Sequence, residues 1–240
     1  MGNAKKVLLI DDDPLALALL EAVLGREGFE VIKAGGGRQG LRLLFSHRPD
    51  LVMLDVVMPR MDGWQTCRRI REVSDVPVII LTGWCQAESD IIRGLDFGAD
   101  DYLLKTISNS VLVARVKAAI RRAELPPPPE IEGEPDYDDG NLLVEIARRR
   151  VEVGGRQVKL TPLEFGLFAL LVSNAGHVLK HREILEKVWG WEYINDVDYV
   201  RIYIAHLRQK IEPEPSQPRY ILTETGIGYC FQKAAERQPA

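Results

Sequence analysis

The sequence predicts two joined domains: an α/β sheet wound on both faces, then a smaller α+β unit. Three observations carry that prediction. Short apolar runs alternate with amphipathic stretches of helical length through the first half of the chain. A proline run and an acidic stretch then break the pattern. Beyond the break come short alternating runs, three helical patterns and a closing hairpin.

Val7-Leu8-Leu9-Ile10 opens the first strand and runs into Asp11-Asp12-Asp13. A helix is expected from Pro14 to Glu27, with Asp13 as its cap and proline in the first turn. The strand around Val31-Ile32 ends in glycines, and a helix follows from Arg38 to His47. Leu51 to Leu54 runs into Asp55, ahead of a helix from Gly63 to Glu72. Val78 to Leu81 runs into Thr82, ahead of a helix from Ala87 to Phe97. Tyr102 to Leu104 runs into Lys105, and a last helix spans Asn109 to Ala123. Runs this short, apolar and β-branched suit parallel strands covered on both faces. Strand alternating with helix gives right-handed βαβ units. Five such units suit the flavodoxin-like strand order 2-1-3-4-5, which sets strands one and three side by side at the topological switch point.

That order makes the strand-end residues neighbours. Asp11 and Asp12 face Asp55 across the crevice, with Thr82 and Lys105 on the next strands out. Clustered carboxylates repel unless a cation joins them. Magnesium takes hard oxygen ligands, typically one or two carboxylates with waters and phosphate oxygens. Asp55 can then act as a nucleophile toward phosphorus. Lys105 would share the charge neutralisation that phosphoryl transfer needs, and Thr82 would supply a hydroxyl. Taken singly, each residue has an ordinary alternative as a cap, a strand-end threonine or a solvated lysine. Their joint arrival at one sheet edge argues for a site. Gly35 to Gly40 contains G-x-G-x-x-G, but it follows the second strand and not the first, so a flexible βα loop is expected there and no dinucleotide site.

Leu125-Pro126-Pro127-Pro128-Pro129 is a stiff segment, and residues 130–139 are acidic with Pro and Gly. The expected organisation is a first domain over 1–123, a linker over 124–139, a second domain over 140–233 and a tail over 234–240. In the second domain, Leu142-Val144, Arg150-Val153 and Gln157-Leu160 read as small antiparallel strands around Gly154-Gly155. Thr161-Pro162-Leu163-Glu164 is a capping box opening a helix that ends near Ala175-Gly176. A second helix is expected from His181 to Trp189 and a third from about Asp196 to Ile211. Val197, Val200, Ile204, Leu207 and Ile211 form the core face of the third. Its remaining positions include Tyr199, Arg201, Ile202, Tyr203, His206, Arg208 and Lys210, and a hairpin around Thr225-Gly226 follows. A basic, aromatic outer face beside a hairpin fits a groove-reading helix with a wing.

The motifs LLIDDDP, LVMLDVVMPRMDG, VIILTG and GADDYLLK resemble the CheY-like receiver of two-component response regulators. The resemblance implies Asp55 as phosphoacceptor. It implies Asp11, Asp12, Asp55 and the Val57 carbonyl as ligands of Mg2+. Thr82 and Lys105 would contact the phosphoryl group, and Tyr102 would be an aromatic switch. Family members usually carry proline after the lysine, where this chain has Thr106. The stretches LTPLEFGLFALLVSNAGHVLKHREILEKVWG, YVRIYIAHLRQKIEP and PRYILTETGIGYCF are similar to the winged-helix effector of OmpR/PhoB-type regulators, with Tyr199 to Phe231 nearest to KdpE-like members. That resemblance implies DNA contacts from Tyr199, Arg201, Ile202, Tyr203, His206, Arg208 and Thr225, with Arg208 on the DNA backbone. It implies an RNA polymerase contact through the loop Trp189 to Asn195. It also implies a phosphorylation-dependent homodimer on direct repeats. Asp100, Asp101, Arg115 and Arg122 would supply interface ion pairs, Asp101 with Arg115 and Asp100 with Arg122. Ile91 and Val111 stand where a further ion pair is usual.

The chain carries a formal net charge of −4, and the acids of the break account for it. The three cysteines lack metal-ligand spacing, which suggests a reducing, cytoplasmic setting. No signal peptide and no membrane-length apolar run is apparent, so a soluble protein is expected. Three functions compete. A phosphorylation-switched transcription factor served by a sensor histidine kinase, itself not an enzyme, is favoured. An aspartate-nucleophile phosphatase would need an acid two residues after Asp55, where Val57 stands. A phosphorylation-independent DNA binder would show a damaged acceptor site.

Overall fold

The computed structural model describes residues 4–83, 97–124 and 135–233. The chain forms two compact units, Met1–Glu124 and Leu125–Ala240. Ile91, the proline run, the tail and all but the last residue of the expected helix Ala87 to Phe97 lie outside the described residues.

In the first unit β1 (Lys6–Ile10), β2 (Glu30–Ala34), β3 (Leu51–Leu54), β4 (Val78–Thr82) and β5 (Asp101–Leu104) form one sheet in the order β2-β1-β3-β4-β5. Every pairing in it is parallel, as the alternating pattern predicts. The described helices are α1 (Pro14–Arg26), α2 (Gly37–His47), α3 (Gly63–Val73) and α4 (Asn109–Ala123). Strand residues alternate between the two faces. Leu9, Met53 and Leu81 join one core with Leu17 of α1 and Leu112 and Val116 of α4. On the other face α2 lies against β1. A Cβ on Gly40 would stand 2.3 Å from Ile10 Cδ1, and one on Gly37 would stand 2.2 Å from Thr66 Oγ1 of α3. Gly37 and Gly40 are therefore tightly packed in the first turns of α2, while Gly35 and Gly36 form the expected βα connection ahead of it. Burying a leucine or isoleucine side chain contributes about 1.5–3 kcal/mol. β3 and β4 are buried throughout, which gives a stiff frame for the polar residues at their ends.

The second unit opens with an antiparallel sheet of β6 (Tyr137–Asp138), β7 (Leu142–Glu145), β8 (Arg150–Val153) and β9 (Arg156–Gln157). Gly154 and Gly155 turn between β8 and β9 at φ +56 and +73, a left-handed pair open to glycine without strain. α5 (Pro162–Ser173), β10 (Leu179–Lys180), α6 (His181–Val188), a 3-10 turn (Trp191–Tyr193) and α7 (Val197–Ile211) follow. β11 (Ile221–Glu224) and β12 (Gly228–Phe231) then form a hairpin whose second strand also pairs with β10. This is a winged helix-turn-helix, with α7 as its third helix and β11–β12 as the wing. The capping box forms: Glu164 N donates to Thr161 Oγ1 at 3.3 Å and Thr161 N donates to Glu164 Oε2 at 2.7 Å.

One boundary differs from the sequence expectation. Composition places Tyr137 and Asp138 in the linker, yet they form β6 and pair with β7. Tyr137 meets the Phe231 ring edge-on, with centroids 5.1 Å apart. A two-residue strand in an acidic stretch has no alternation to read; its aromatic partners lie far along the chain.

Candidate functional site

The parallel sheet ends in a carboxylate cluster. Asp11, Asp12 and Asp55 each offer an oxygen within 4.8 Å of the others. Asp11 and Asp55 are buried and Asp12 is exposed. Lys105 Nζ bridges the buried pair, 2.6 Å from Asp11 Oδ2 and 2.9 Å from Asp55 Oδ2. The other Asp55 oxygen accepts from Val56 N at 2.7 Å. Asp13 stands aside from the cluster and caps α1 through Leu15 N at 2.8 Å. Burial pushes the Asp11 carboxyl above its ordinary pKa; the Lys105 hydrogen bond opposes this and the nearby Asp55 charge adds to it. Burial works against the Lys105 ammonium, but its bonds to Asp11 and Asp55 outweigh this and raise its pKa. Three hard oxygen donors with one exposed edge match what magnesium requires.

Backbone packing holds this cluster. Lys105 N donates to Thr82 O at 2.8 Å, so the sheet ladder continues into the site with Thr106 next in the chain. Thr82 is fully buried at the end of β4. A Cβ on Gly63 would stand 2.2 Å from Asp55 O and 2.6 Å from Val56 Cα, so only glycine lets α3 start this close to Asp55. Val57, two residues after Asp55, is 53% exposed, while Val56 between them is buried. Tyr102 is buried and stacks on Trp64, the residue after Gly63.

The expected interface acids are engaged within their own chain. Asp101 is fully buried with Arg115 Nη1 3.5 Å away. Asp100 accepts from Arg71 Nη2 at 2.5 Å and from Val78 N at 2.7 Å. Burial drives the Asp100 pKa up, and the Arg71 charge opposes it most strongly, ahead of Val78 N–H and Arg122. Arg71 is thus its main partner, a residue that no local sequence pattern marks. Val111 is 41% exposed.

The outer face of α7 differs from the sequence expectation. The helical pattern places Tyr199, Tyr203 and His206 there, yet all three are buried. Tyr203 meets the Trp189 ring at a centroid distance of 5.1 Å, and Tyr199 packs on Trp189 and Tyr193. His206 Nδ1 lies 4.0 Å from Glu164 Oε1, and Lys210 Nζ donates to both Glu164 oxygens at 2.7 and 2.6 Å. Trp189 caps the end of α6 and Tyr193 closes the 3-10 turn, so the depth of this packing has no signal in α7 itself. Arg201 is exposed and Ile202 half-buried. Ala205 and Gln209, which the sequence reading does not name, are placed on the same stripe by helical spacing; Ala205 is exposed. Thr225 is exposed at the wing tip. Arg208 is half-buried, and its side chain is bonded to the wing. In the connecting segment Trp189 and Tyr193 are fully buried, while Trp191 is 68% exposed.

Comparison with known proteins agrees with both units. Residues 7–117 match the response regulator receiver domain, and residues 155–231 match the C-terminal domain of transcriptional regulatory proteins. The chain is similar to the probable transcriptional regulator ycf27 of Cyanophora paradoxa, 39% identical over 237 residues that cover 97% of this chain and 98% of that protein. Among solved structures it is similar to the response regulator DrrB, a Thermotoga maritima OmpR/PhoB homologue. There the identity is 30% over 96% of this chain and 100% of that one, with a TM-score of 0.50. A point mutant of RitR superposes with a TM-score of 0.72 at 26% identity, covering 96% of this chain and 100% of that one. With a receiver sheet ending in the acidic cluster and a winged helix later in the sequence, the chain belongs to the OmpR/PhoB-type response regulators, a family of transcriptional regulators.

Proposed function

We propose that Asp55 receives a phosphoryl group from a sensor histidine kinase, and that the phosphorylated chain dimerises and binds direct-repeat DNA. The observation that carries this reading is Lys105 Nζ between Asp11 and Asp55, a cation already held at the acceptor oxygen. Asp55 attacks phosphorus through a carboxylate oxygen, and the donor's leaving atom departs with the electron pair of the broken bond. Lys105 then trades its Asp55 contact for a phosphoryl oxygen, and Thr82 donates its hydroxyl to another. Asp11, Asp12, Asp55 and the Val57 carbonyl would hold Mg2+, which supplies further neutralisation when bound. Leu15 and Leu19 are 78% and 63% exposed on α1, the helix that follows the Asp11–Asp12 pair, and suit the apolar part of a kinase contact.

The DNA contacts are assigned to Arg201, Ile202, Ala205 and Gln209 on the outer stripe of α7 and to Thr225 on the wing. Glutamine can bond adenine through two groups in the major groove, and arginine can bond guanine or phosphate. Exposed Trp191, anchored between buried Trp189 and Tyr193, suits the RNA polymerase contact. No helix among the described residues is long and apolar enough to cross a membrane, and Cys67 and Cys230 are free and buried, which supports a cytoplasmic setting.

The test is a duplex selected from a randomised pool by the acetyl-phosphate-treated chain. Wild type should bind that duplex more tightly after treatment with acetyl phosphate and magnesium, and Asp55→Ala should show no gain. Equal gain in both proteins would refute the reading.

A further inference from the structure

We infer that Arg208 and Glu212 are positioning residues that clamp the wing to α7, and that Arg208 acts on DNA through the wing and not through a phosphate. The inference rests on the DNA-binding reading above. Arg208 Nε and Nη2 donate to Ile221 O at 3.0 and 2.6 Å. Nη2 also donates to Thr223 Oγ1 at 2.8 Å. The guanidinium carbon lies 5.8 Å from the centre of the Tyr229 ring on the other wing strand. One helical turn on, the buried Glu212 carboxylate at the end of α7 accepts from Arg219 N at 2.8 Å, Tyr220 N at 2.9 Å and Ile221 N at 2.8 Å.

Two side chains of opposite charge, four residues apart, thus hold the carbonyl and the N–H of the same residue. Ile221 is the first residue of β11, so its grip sets where the wing leaves the helix. Charge-assisted bonds to backbone groups are stronger than neutral ones and fix direction as well as distance. Glu212 cannot itself attract a phosphate, so any effect it has on DNA binding must pass through the protein. Arg208 holds the carbonyl of the same residue, Ile221, and the hydroxyl of Thr223. Burial also pushes its pKa down, as expected for a guanidinium packed into the fold. Arg201, on the same helix, is the contrast: its side chain is 64% exposed and pairs with exposed Asp198 at 3.0 Å.

The test uses the full chain, the variants Arg208→Gln, Arg208→Lys and Glu212→Gln, and the duplex selected by wild type. Amide exchange in the free protein reads the clamp without DNA. Exchange at Tyr220 and Ile221 should rise in Glu212→Gln, and exchange along β11 should rise in Arg208→Gln, with α6 unchanged. Each variant should bind the duplex about tenfold more weakly, the scale of one lost charge-assisted bond. The dependence of log affinity on log salt should keep its wild-type slope in Arg208→Gln. Arg208→Lys should resemble Arg208→Gln, because an ammonium cannot reproduce the fork. A slope shallower by about 0.9, the value for one lost phosphate contact, would overturn the inference, as would wild-type behaviour of Arg208→Lys. Unchanged amide exchange in both glutamine variants would overturn the clamp itself. Failure of wild type to bind any duplex would instead refute the DNA-binding reading, and the exchange data would still report on the clamp.

Discussion

Trp64 and Tyr102 stack with their ring centroids 6.3 Å apart and their planes 12° from parallel. Trp64 follows Gly63, which is pressed against the Asp55 carbonyl, so one aromatic pair links the acceptor loop to β5. Paired rings contribute about 0.5–1.5 kcal/mol beyond simple burial. A cycle of Trp64→Ala, Tyr102→Ala and the double variant, measured by urea unfolding, should therefore give a coupling of that size. Additive losses would mean the stack carries no energy of its own.

Gly63→Ala should cripple phosphorylation. Its Cβ would meet backbone atoms at 2.2 and 2.6 Å, which cannot swing aside as a side chain could. The Asp55 loop must shift, and a displacement near 1 Å can cost about 10²-fold in rate. Gly166→Ala is the control, since nothing lies within 4 Å of its Cβ. That variant should phosphorylate normally and gain about 0.5–1 kcal/mol of stability. A Gly63→Ala protein with the wild-type rate of uptake from acetyl phosphate would contradict the packing argument.

The sheet order and the acceptor cluster are legible because each signal is local. An apolar strand ends in a polar residue, and the βαβ rule then brings those ends together. What escapes the sequence depends on distant partners. Arg71 meets Asp100 across 29 residues, and Tyr137 finds Phe231 at the far end of the domain. The α7 face is misread for a related reason. Tyrosine suits a surface or a core, and Trp189 at the end of α6 and Tyr193 in the 3-10 turn, both outside α7, decide that Tyr199 and Tyr203 are inside. The G-x-G-x-x-G glycines are read from composition, while their packing against Ile10 and Thr66 is visible only in three dimensions.

Asp139 should give the winged helix an acid-sensitive limb. Burial alone would raise its pKa, but bonds from Leu142 N, Asn141 N and the Tyr220 hydroxyl outweigh burial and lower it. A lowered folded pKa stabilises above the unfolded value of about 3.9 and loses that contribution as pH falls through the folded value. Asp139→Asn should cost about 1 kcal/mol near neutral pH. The gap to wild type should close as pH falls from neutral through the folded pKa. A gap of equal size at both ends of that range, in urea titrations, would show that charge is not the cause.

Val111→Lys should weaken the phosphorylation-dependent dimer while leaving phosphate uptake intact. Val111 is 41% exposed, whereas Asp101 and Arg115 are buried within their own chain. An apolar side chain covered at an interface contributes up to about 1.5–3 kcal/mol, with little dependence on salt. Raising salt to about 0.5 M should thus loosen the dimer only modestly. Sedimentation of the beryllofluoride-treated protein measures both effects, and wild-type dimerisation by Val111→Lys would remove this residue from the interface.

The central claim is that Asp55 accepts the phosphoryl group, with Lys105 and a divalent ion neutralising the charge. Intact mass after incubation with acetyl phosphate and magnesium tests it most directly. Wild type should gain one phosphoryl group, lose it with hydroxylamine, and gain none when magnesium is chelated. Asp55→Ala should gain none, and Lys105→Ala should gain it slowly or not at all. Equal phosphate uptake by wild type and Asp55→Ala would contradict the account.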